Sequence, residues 1–413
     1  MKPAVNKYTN AITAIIVGVP LAIYVRYVFL YAINLPRLDD YNAILSFLIE
    51  YSNATGSDQK LALLFSQHNE HRILLSRIIY VLYYSICGEV NFRHIIFINA
   101  GILLLLYAII ARFIINVLPG RWHLSLIVLS MGVFSLNNYE NMNFAMAGIQ
   151  NLGVILLFVG SMQAYSSRWR AMLPLAVLLH IVCIFSSGNG IVASFFLWLF
   201  CITGERRVVA IVSTIVFFVF TPLYYYHYTP APPVFFTLNP VLFLPYFLEA
   251  LGAHFNKELG VIAGVLLVVS LLLLKPWNAI VNQSTRRLWF IIAFAIVSLG
   301  VMAVYRGKQP LDFAYSSRYF ILSHLVAALT FTLYMYRFRE KQTIAATAII
   351  FSLMVFVAIR NYNDGHLKFA DLSVHTSRVQ YDYPNEEYAK KTTAEACLME
   401  IYCIENHRNI FIK

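Results

Sequence analysis

The sequence predicts an all-α protein that crosses a membrane many times. Of its 413 residues, 60% are hydrophobic and 12% are charged, and the mean hydropathy is +0.67. A soluble domain is usually about 45–50% apolar and about 25% charged. The net charge is +11, but the basic residues fall mostly between apolar runs, where membrane orientation explains them. We therefore expect a lipid bilayer, and no nucleic acid, as a partner.

Long apolar runs set the predicted number of crossings, because a membrane helix needs about 20 mostly apolar residues. Eleven crossings are predicted, at 11–33, 93–117, 122–137, 143–164, 171–186, 190–203, 208–227, 259–275, 287–305, 319–336 and 342–360. The stretches 73–90 and 238–253 are assigned instead to juxtamembrane helices that lie along or dip into the outer face. Pro240 and Pro245 disfavour a simple crossing in the second stretch.

Basic clusters decide the orientation, because Lys and Arg favour the cytoplasmic side of short loops. If 73–90 does not cross, all the clusters fall inside: Lys2 and Lys7; Arg112 and Arg121; Arg168 and Arg170; Arg206 and Arg207; Lys275, Arg286 and Arg287; Arg337, Arg339 and Lys341. The N-terminus is then cytoplasmic and the C-terminus is outside. The chain divides into a transmembrane domain, 1–360, with 34–92 as its first outer loop, and a small outer tail, 361–413.

Two cysteines of this tail, Cys397 and Cys403, are six residues apart. On an outer face they are able to form a disulfide, but their spacing alone does not decide between a disulfide and two free thiols.

The first outer loop carries the densest ionisable cluster in the chain, beginning with the adjacent Asp39 and Asp40. One of them suits a helix N-cap, because the Asp side chain accepts backbone N–H bonds. Capping needs only one acid. A carboxylate here is also suited to accept a proton from an attacking hydroxyl, or to hold a divalent cation beside a phosphate. We expect a catalytic role for at least one of the two, and either is the expected ligand if a metal binds.

The same loop contains the segment QHNEHR, residues 67–72. One interpretation is a polar turn at the membrane interface. Charged groups near apolar surroundings are costly unless they are paired or used, however. Glu70 is therefore a candidate for a second catalytic carboxylate. His71 and Arg72 are candidates for phosphate binding, and an arginine binds phosphate bidentately.

Three polar residues that follow later spans suit a sugar, whose hydroxyls need directional donors and acceptors. Glu140 lies in NNYENMN (137–143), Gln150 follows it, and Asn189 lies in SSGNG (186–190). The alternative interpretation is a set of solvated connections and glycine turns.

Three basic residues, Arg306, Lys308 and Arg318, lie on the predicted outer face, where orientation statistics disfavour them. A lipid-linked phosphate is the natural ligand for them. The alternative is an arginine that snorkels or forms an ion pair at a helix end. The sequence has no Walker A, GxGxxG, GxSxG or HExxH motif, so ATP hydrolysis, nucleotide-cofactor redox chemistry and metalloprotease chemistry lack support.

With these motifs, residues 10–360 resemble the GT-C superfamily of integral-membrane glycosyltransferases. Asp39-Asp40 matches the acidic motif that follows the first helix in that superfamily, and QHNEHR resembles its juxtamembrane arrangement. NYEN (138–141) resembles the second acidic outer loop, and YSSRY (315–319) resembles the late arginine that meets the carrier phosphate. In length, and in lacking a large C-terminal domain, the chain is most similar to bacterial O-antigen glucosyltransferases of the phage serotype-converting type.

The resemblance implies a GT-C-like bundle of about eleven helices at the periplasmic face of a bacterial inner membrane. It implies transfer of a sugar, glucose in the narrower group, from a polyprenyl-phosphate carrier to a lipopolysaccharide O-antigen or another lipid-linked glycan. Asp39 or Asp40 would be the general base, and Arg318 with Arg72 or Lys308 would stabilise the leaving phosphate. The resemblance leaves open one cofactor, a divalent cation, Mg²⁺ or Mn²⁺. A flippase for polyprenyl-linked sugars, a class that often shows internal repeats, and an O-antigen polymerase are the alternatives.

Overall fold

A computed structural model describes residues 7–230, 234–255, 257–274, 282–338, 343–378 and 381–403. Four residues of the predicted basic clusters, Lys2, Lys275, Arg339 and Lys341, lie outside these described residues, as do the last ten residues of the tail. The described chain is almost entirely helical, with one small hairpin of β1 (Gln67–His68) and β2 (His71–Arg72).

The helices are, in chain order, α1 (Lys7–Tyr31), α2 (Phe47–Asn53), α3 (Ser57–Phe65), α4 (Leu74–Cys87), α5 (Phe92–Val117), α6 (His123–Val133), α7 (Tyr139–Asn143), α8 (Ala145–Tyr165), α9 (Met172–Ile184), α10 (Gly188–Ile202), α11 (Arg207–Tyr224), α12 (Pro240–Gly252), α13 (Gly260–Leu273), α14 (Arg286–Arg306), α15 (Phe320–Arg337), α16 (Thr343–Arg378) and α17 (Glu386–Leu398). A π-helical segment, Asp40–Ser46, precedes α2, and short 3-10 turns occur at Leu136–Asn138, Leu311–Ala314 and Ser317–Tyr319.

The protein is an α-helical membrane protein. Within the described residues, six helical stretches are long and apolar enough to cross a membrane: Tyr8–Tyr31, Phe92–Val117, Ala145–Tyr165, Arg207–Tyr224, Arg286–Arg306 and Leu311–Arg337. Helix length therefore supports six crossings and not the predicted eleven. The sequence predicts more crossings than helix length supports because apolar residues continue from the helices into the turns that follow them. The run 122–137, for example, contains only the 11-residue α6 before the turn Leu136–Asn138.

The connections between helices collect at two ends of the bundle, which α14 joins. Arg286, at its start, donates to the Thr203 carbonyl at 2.8 Å, and Arg306, at its end, lies 5.4 Å from the Tyr319 ring centroid. A helix of 21 residues is about 30 Å long, close to the thickness of a bilayer core. We call the end of the bundle that contains Arg286 the arginine end. The polar end is the one that contains residues 34–92, 137–143, 186–190, 306–319 and 381–403.

At the arginine end, guanidinium groups bind carbonyls at the ends of neighbouring helices. Arg121 donates to the carbonyl of Met335, at 3.1 Å, and Arg206 donates to the carbonyl of Tyr165, at 3.2 Å. Cations are favoured there because the C-terminus of a helix carries a partial negative charge. These contacts gather the ends of α8 and α15 with the loops that precede α6 and α11.

Helix α4 does not run between the two ends. Its first residue, Leu74, donates its N–H to the carbonyl of Phe185, at 2.9 Å, and Val90, just after it, donates to Ile401, at 2.7 Å. Both partners belong to, or adjoin, segments of the polar end. Helix α4 therefore begins and ends on the same side, beside the first loop.

Helices α12 and α13 form a hairpin whose backbones approach closely. A Cβ on Gly252 would lie 1.8 Å from the Gly260 carbonyl oxygen, and a Cβ on Gly264 would lie 2.1 Å from that of Leu248. Only glycine allows such an approach. The turn between the two helices reaches the polar end, because Lys257 pairs with Asp312 at 2.9 Å.

The tail packs onto the first loop. Helix α16 passes residue 360 without a break, so the predicted domain boundary falls within a helix. Beyond it, Asp382 accepts a hydrogen bond from Arg37 Nε at 2.8 Å, and Tyr388 Oη lies 2.7 Å from Ser46 Oγ. Cys397 and Cys403 are joined by a disulfide. The tail therefore covers the π-helical segment that carries Asp40.

Candidate active site at the polar end

Asp40 is a buried helix cap. Its side chain is almost inaccessible, and it accepts backbone N–H bonds from Arg37 and Met146, each at 3.1 Å. Met146 lies in the first turn of α8, where the free N–H groups attract a carboxylate. Burial raises the pKa of Asp40 to about 8, although the two N–H bonds act in the opposite direction. Asp40 thus fixes the first loop to α8 and is withdrawn from solvent.

Asp39 is the accessible member of the pair. Its side chain is 33% exposed, and its Oδ1 lies 4.0 Å from Nε2 of His68. The two adjacent aspartates therefore occupy different environments, one inside the fold and one facing the hairpin of the first loop. Of the two, Asp39 is the carboxylate that a ligand is able to reach from outside the fold.

The β1–β2 hairpin places two histidines next to Asp39. His68 and His71 are paired across the hairpin, whose turn has Asn69 in a left-handed conformation, with φ of 48°. Burial lowers the pKa of both imidazoles, so both are neutral at pH 7, while Asp39 and the exposed Glu70 act to raise these pKa values. Within the described residues, the buried Nδ1 of His71 has no hydrogen-bond partner. The imidazole of His68 therefore lies beside an accessible carboxylate, and His71, whose Nδ1 is unpartnered among the described residues, lies across the hairpin from it.

Arg72 holds the hairpin of the first loop in place. Its Nε donates to the carbonyl of Tyr224 at 2.7 Å, and its two terminal nitrogens donate to the carbonyls of Phe65 and Tyr226. Its guanidinium also lies 5.8 Å from the Tyr224 ring centroid. These contacts fasten the hairpin to the end of α11. Since all three nitrogens are engaged, the structure does not offer Arg72 to a phosphate.

Glu140 and Arg318 form an ion pair at 3.3 Å, with both side chains partly exposed. Ser317 Oγ donates to the other carboxylate oxygen of Glu140 at 2.7 Å, and Asn141 binds the Arg318 carbonyl at 3.0 Å. Within the described residues, the terminal amino groups of Arg318 make no hydrogen bond. The ion pair therefore orients a guanidinium that keeps four N–H donors for a ligand.

Arg318 and Asn189 line one small cleft, together with Asn151 of α8. Gln150, beside Asn151 in the chain, is half-buried. Lys308 is exposed on the same end of the bundle, and no ion pair forms on it within the part of the chain that the structure describes. Of the predicted sugar and phosphate ligands, Asn189 and Arg318 are thus brought together, whereas Lys308 stays at the periphery.

Arg306, one of the three basic residues of the predicted outer face, also belongs to this site, although the sequence predicts no separate role for it. Its guanidinium stacks on Tyr319, next to Arg318 in the chain, and its positive charge acts with burial to lower the pKa of His71. It therefore lies between the histidine hairpin and the late arginine. The available signal was its place in the polar segment 306–318, on the face where arginines are disfavoured.

Lys368, near the far end of α16, is a basic residue of this site that the sequence analysis did not single out. Its ammonium lies 5.1 Å from the Tyr315 ring centroid and 5.9 Å from that of Tyr139. Burial lowers the pKa of Lys368, and the charge of Asp364 opposes this. No local motif marks Lys368, because it is the fold of the tail that brings α16 beside α7.

The predicted residues converge at the start of α8. Asp40 binds the N–H of Met146, and the Arg318 guanidinium lies 5.4 Å from the ring centroid of Phe144, two residues earlier. The first loop also meets SSGNG, because His71 Nδ1 lies 2.9 Å from the position that a Cβ on Gly188 would take. The twin aspartates, the NYEN turn, SSGNG and YSSRY therefore surround one region.

The donor set for a metal is small. In the described ranges, no group of three His, Cys, Asp or Glu side chains is placed to hold a metal ion. Asp40 has both carboxylate oxygens engaged by backbone N–H groups. A divalent cation beside a substrate phosphate would therefore have Asp39 as its carboxylate ligand, with His68 nearby.

The arrangement is suited to group transfer at a membrane surface. It combines an accessible carboxylate, neutral imidazoles and cationic donors at the end of apolar helices, where an amphipathic substrate with a phosphate head is able to lie. The sequence matches no known protein-family model, and no curated protein is significantly similar to it.

Proposed function

We propose that this protein is a membrane glycosyltransferase of the GT-C type, which moves a sugar, glucose in the first instance, from a polyprenyl-phosphate carrier to a surface polysaccharide such as O-antigen. The observation that carries the proposal is made at the start of α8. Asp40, next to Asp39 in the chain, binds the N–H of Met146, and Arg318 of the Glu140–Arg318 pair lies against Phe144. A sugar bound to a lipid phosphate needs both features, a base for the acceptor and a cation for the leaving group.

In the proposed reaction, the acceptor hydroxyl attacks the anomeric carbon of the sugar while its proton passes to Asp39. The bond between that carbon and the phosphate oxygen breaks, and its electron pair stays on the polyprenyl phosphate. A positioned base contributes about 10²–10⁴-fold to such a step. Arg318 and Arg306 stabilise the leaving phosphate, since prearranged donors act strongly where charge develops. Glu140 orients Arg318, and Asn189 and Gln150 bind sugar hydroxyls.

The proposal places the polar end at the periplasmic face of a bacterial inner membrane, with the N-terminus in the cytoplasm. Two observations support this orientation. Arginines gather at the opposite end, as expected for a cytoplasmic side. A disulfide, Cys397–Cys403, lies at the polar end, and disulfides persist in oxidising compartments such as the periplasm.

The proposal takes the six long helices as membrane passes and adds shorter ones. Within the described residues, five shorter apolar helices accompany the six long ones, and two of the five, α4 and α12, have both ends near the polar end. Short helices such as α9 and α10 are able to connect the two ends because a bilayer thins around short spans at modest cost.

The test in cells compares the surface glycan made with the wild-type protein, with Asp39→Asn and with Asp58→Asn. Asp58 is an exposed acid of the same loop and serves as the matched control. We expect Asp39→Asn to reduce the sugar decoration at least 100-fold, in line with the loss of a general base. We expect Asp58→Asn to leave it unchanged.

Each variant must be shown to insert in the membrane at the wild-type level before its glycan is compared. Full decoration with Asp39→Asn would remove Asp39 as the base, and unchanged glycan in the absence of the protein would overturn the proposed function.

A further inference from the structure

A second cavity lies inside the helical bundle, between α6, α15, α16 and the turn after α12. Its volume is about 140 Å³, and its lining is mostly apolar. An apolar cavity of about this size in a soluble protein binds a benzene-sized molecule. It is separate from the cleft of Asn189 and Arg318, and the proposed transfer reaction makes no use of it.

His324 contributes a hydrogen-bond acceptor to this cavity. It is 7% exposed, and its Nδ1 lies 2.7 Å from the carbonyl oxygen of Phe320. A carbonyl only accepts, so Nδ1 carries the proton, and Nε2 of the neutral ring presents a lone pair. Within the described residues, this buried Nε2 has no hydrogen-bond partner. The Cδ2 edge of the ring, next to Nε2, faces Gly132 of α6, another lining residue.

Asn361 contributes a second acceptor, and His254 a third. Asn361 Nδ2 donates to the His254 carbonyl at 2.8 Å, so its Oδ1 is the acceptor, and this buried atom has no partner among the described residues. Ser323 Oγ donates to the Leu251 carbonyl at 2.6 Å and accepts from His254 Nδ1 at 3.0 Å. The proton of His254 is thereby fixed on Nδ1, and its Nε2 is also an acceptor.

The described polar atoms that line the cavity are free to accept hydrogen bonds but not to donate them, and this determines which ligand the cavity binds. An anion such as a phosphate is excluded, since it would face only lone pairs. A cation is disfavoured because the cavity lining has no acidic side chain, and an unpaired buried charge is costly. A neutral hydroxyl fits, because each buried acceptor that it satisfies removes a desolvation penalty.

The cavity opens toward the apolar outer surface of α16. Leu353 lines the cavity and is 47% exposed, and Phe356, on the same helix, is 60% exposed. In a membrane protein such a surface faces lipid. A ligand with its hydroxyl inside the cavity is therefore able to extend an alkyl chain into the bilayer.

We propose that this cavity binds the hydroxyl end of a neutral long-chain alcohol from the membrane, with His324 Nε2 and Asn361 Oδ1 accepting from the hydroxyl. The site does not depend on the glycosyltransferase function, and its test requires no sugar transfer.

The experiment uses the purified full-length protein and two photoreactive probes. One is a fatty alcohol with a diazirine close to its hydroxyl, and the other is the methyl ether of the same molecule, which has no donor. We expect the alcohol to label peptides that contain Met131 or Met354, both lining residues, about tenfold more strongly than the ether does. Excess unlabelled alcohol should compete, and an excess of the unlabelled ether should not.

Two variants sharpen the test. His324→Phe keeps a ring and removes the acceptor, so it should abolish the preference for the alcohol over the ether. His123→Phe, in the same helix as Met131 but outside the cavity lining, should retain it. If His324→Phe fails to fold, the comparison of the two probes on the wild-type protein is decisive by itself. Equal labelling by alcohol and ether, or no labelling of the cavity peptides by either, would overturn the proposal.

Discussion

At the scale of single residues, the adjacent aspartates show how burial separates two identical side chains. Asp40 is enclosed and accepts two backbone N–H bonds, whereas Asp39 keeps a third of its side chain exposed beside His68. The sequence predicted a capping role and a chemical role for this pair. Asp39 stands at the N-cap of the segment that begins at Asp40 but makes no side-chain cap bond, and Asp40 binds the start of α8, more than a hundred residues away. The chemical role stays a prediction.

The pKa of Asp40 leads to a prediction about pH and stability. Because burial raises this pKa from about 4 to about 8, the folded protein retains a proton that the unfolded chain releases between these values. The contribution of that proton to the free energy of unfolding is complete at low pH and is lost as the pH rises through about 8. We expect the free energy of unfolding to fall between pH 5 and pH 8 by up to about 1.4 kcal/mol per pH unit from this group.

Thermal unfolding in detergent across this pH range measures the effect. Asp40→Asn should flatten the pH dependence, and the control Asp58→Asn should retain it. A wild-type curve that rises with pH, with the same slope in Asp40→Asn, would show that Asp40 does not carry a buried proton.

At the scale of elements, the tail and the first loop behave as one unit. Arg37 pairs with Asp382, and Val90 binds Ile401, so α17 lies over the π-helical segment. The sequence predicted a separate appendage, because hydropathy falls after residue 360 and nothing local marks a partner for α17. Contacts between segments more than 300 residues apart leave no periodic pattern in either segment.

The disulfide leads to a prediction at this scale. Replacing both Cys397 and Cys403 by serine should loosen α17, since a cross-link of this loop length contributes on the order of 2 kcal/mol. We expect faster amide hydrogen exchange in Asp40–Ser46 as well as in α17. Cys87→Ser, which changes an exposed free thiol, should leave exchange unchanged. If only α17 exchanged faster, the tail would not be supporting the first loop.

At the scale of the whole molecule, the sequence predicted the class of protein more reliably than its number of crossings. The excess of apolar residues indicates an α-helical membrane protein, and among the described residues six helical stretches have the length to cross. A hydropathy pattern does not mark the end of α6, because Phe134 and Leu136 in the following turn are also apolar. The predicted outer segments do meet at one end, because the same physical cost keeps polar connections out of the apolar layer.

The orientation of the molecule is tested by thiol labelling. In a Cys87→Ser background, Lys308→Cys should react with a membrane-impermeant maleimide in intact spheroplasts. Arg168→Cys, in a connection on the arginine side, should react only after permeabilisation. Both positions are exposed, so access depends on the side of the membrane. The reverse pattern would place the polar end in the cytoplasm.

The central claim is that the region around Asp39 and Arg318 forms a new glycosidic bond. The most direct measurement is product formation by the purified protein in detergent, with sugar-labelled polyprenyl-phosphate glucose and lipopolysaccharide as acceptor. We expect transfer by the wild-type protein and by Asp58→Asn, and a loss of at least 100-fold in Asp39→Asn and in Arg318→Gln. Undiminished transfer in both of these variants, or no bond formed by the wild-type protein with this donor and acceptor, would contradict the account.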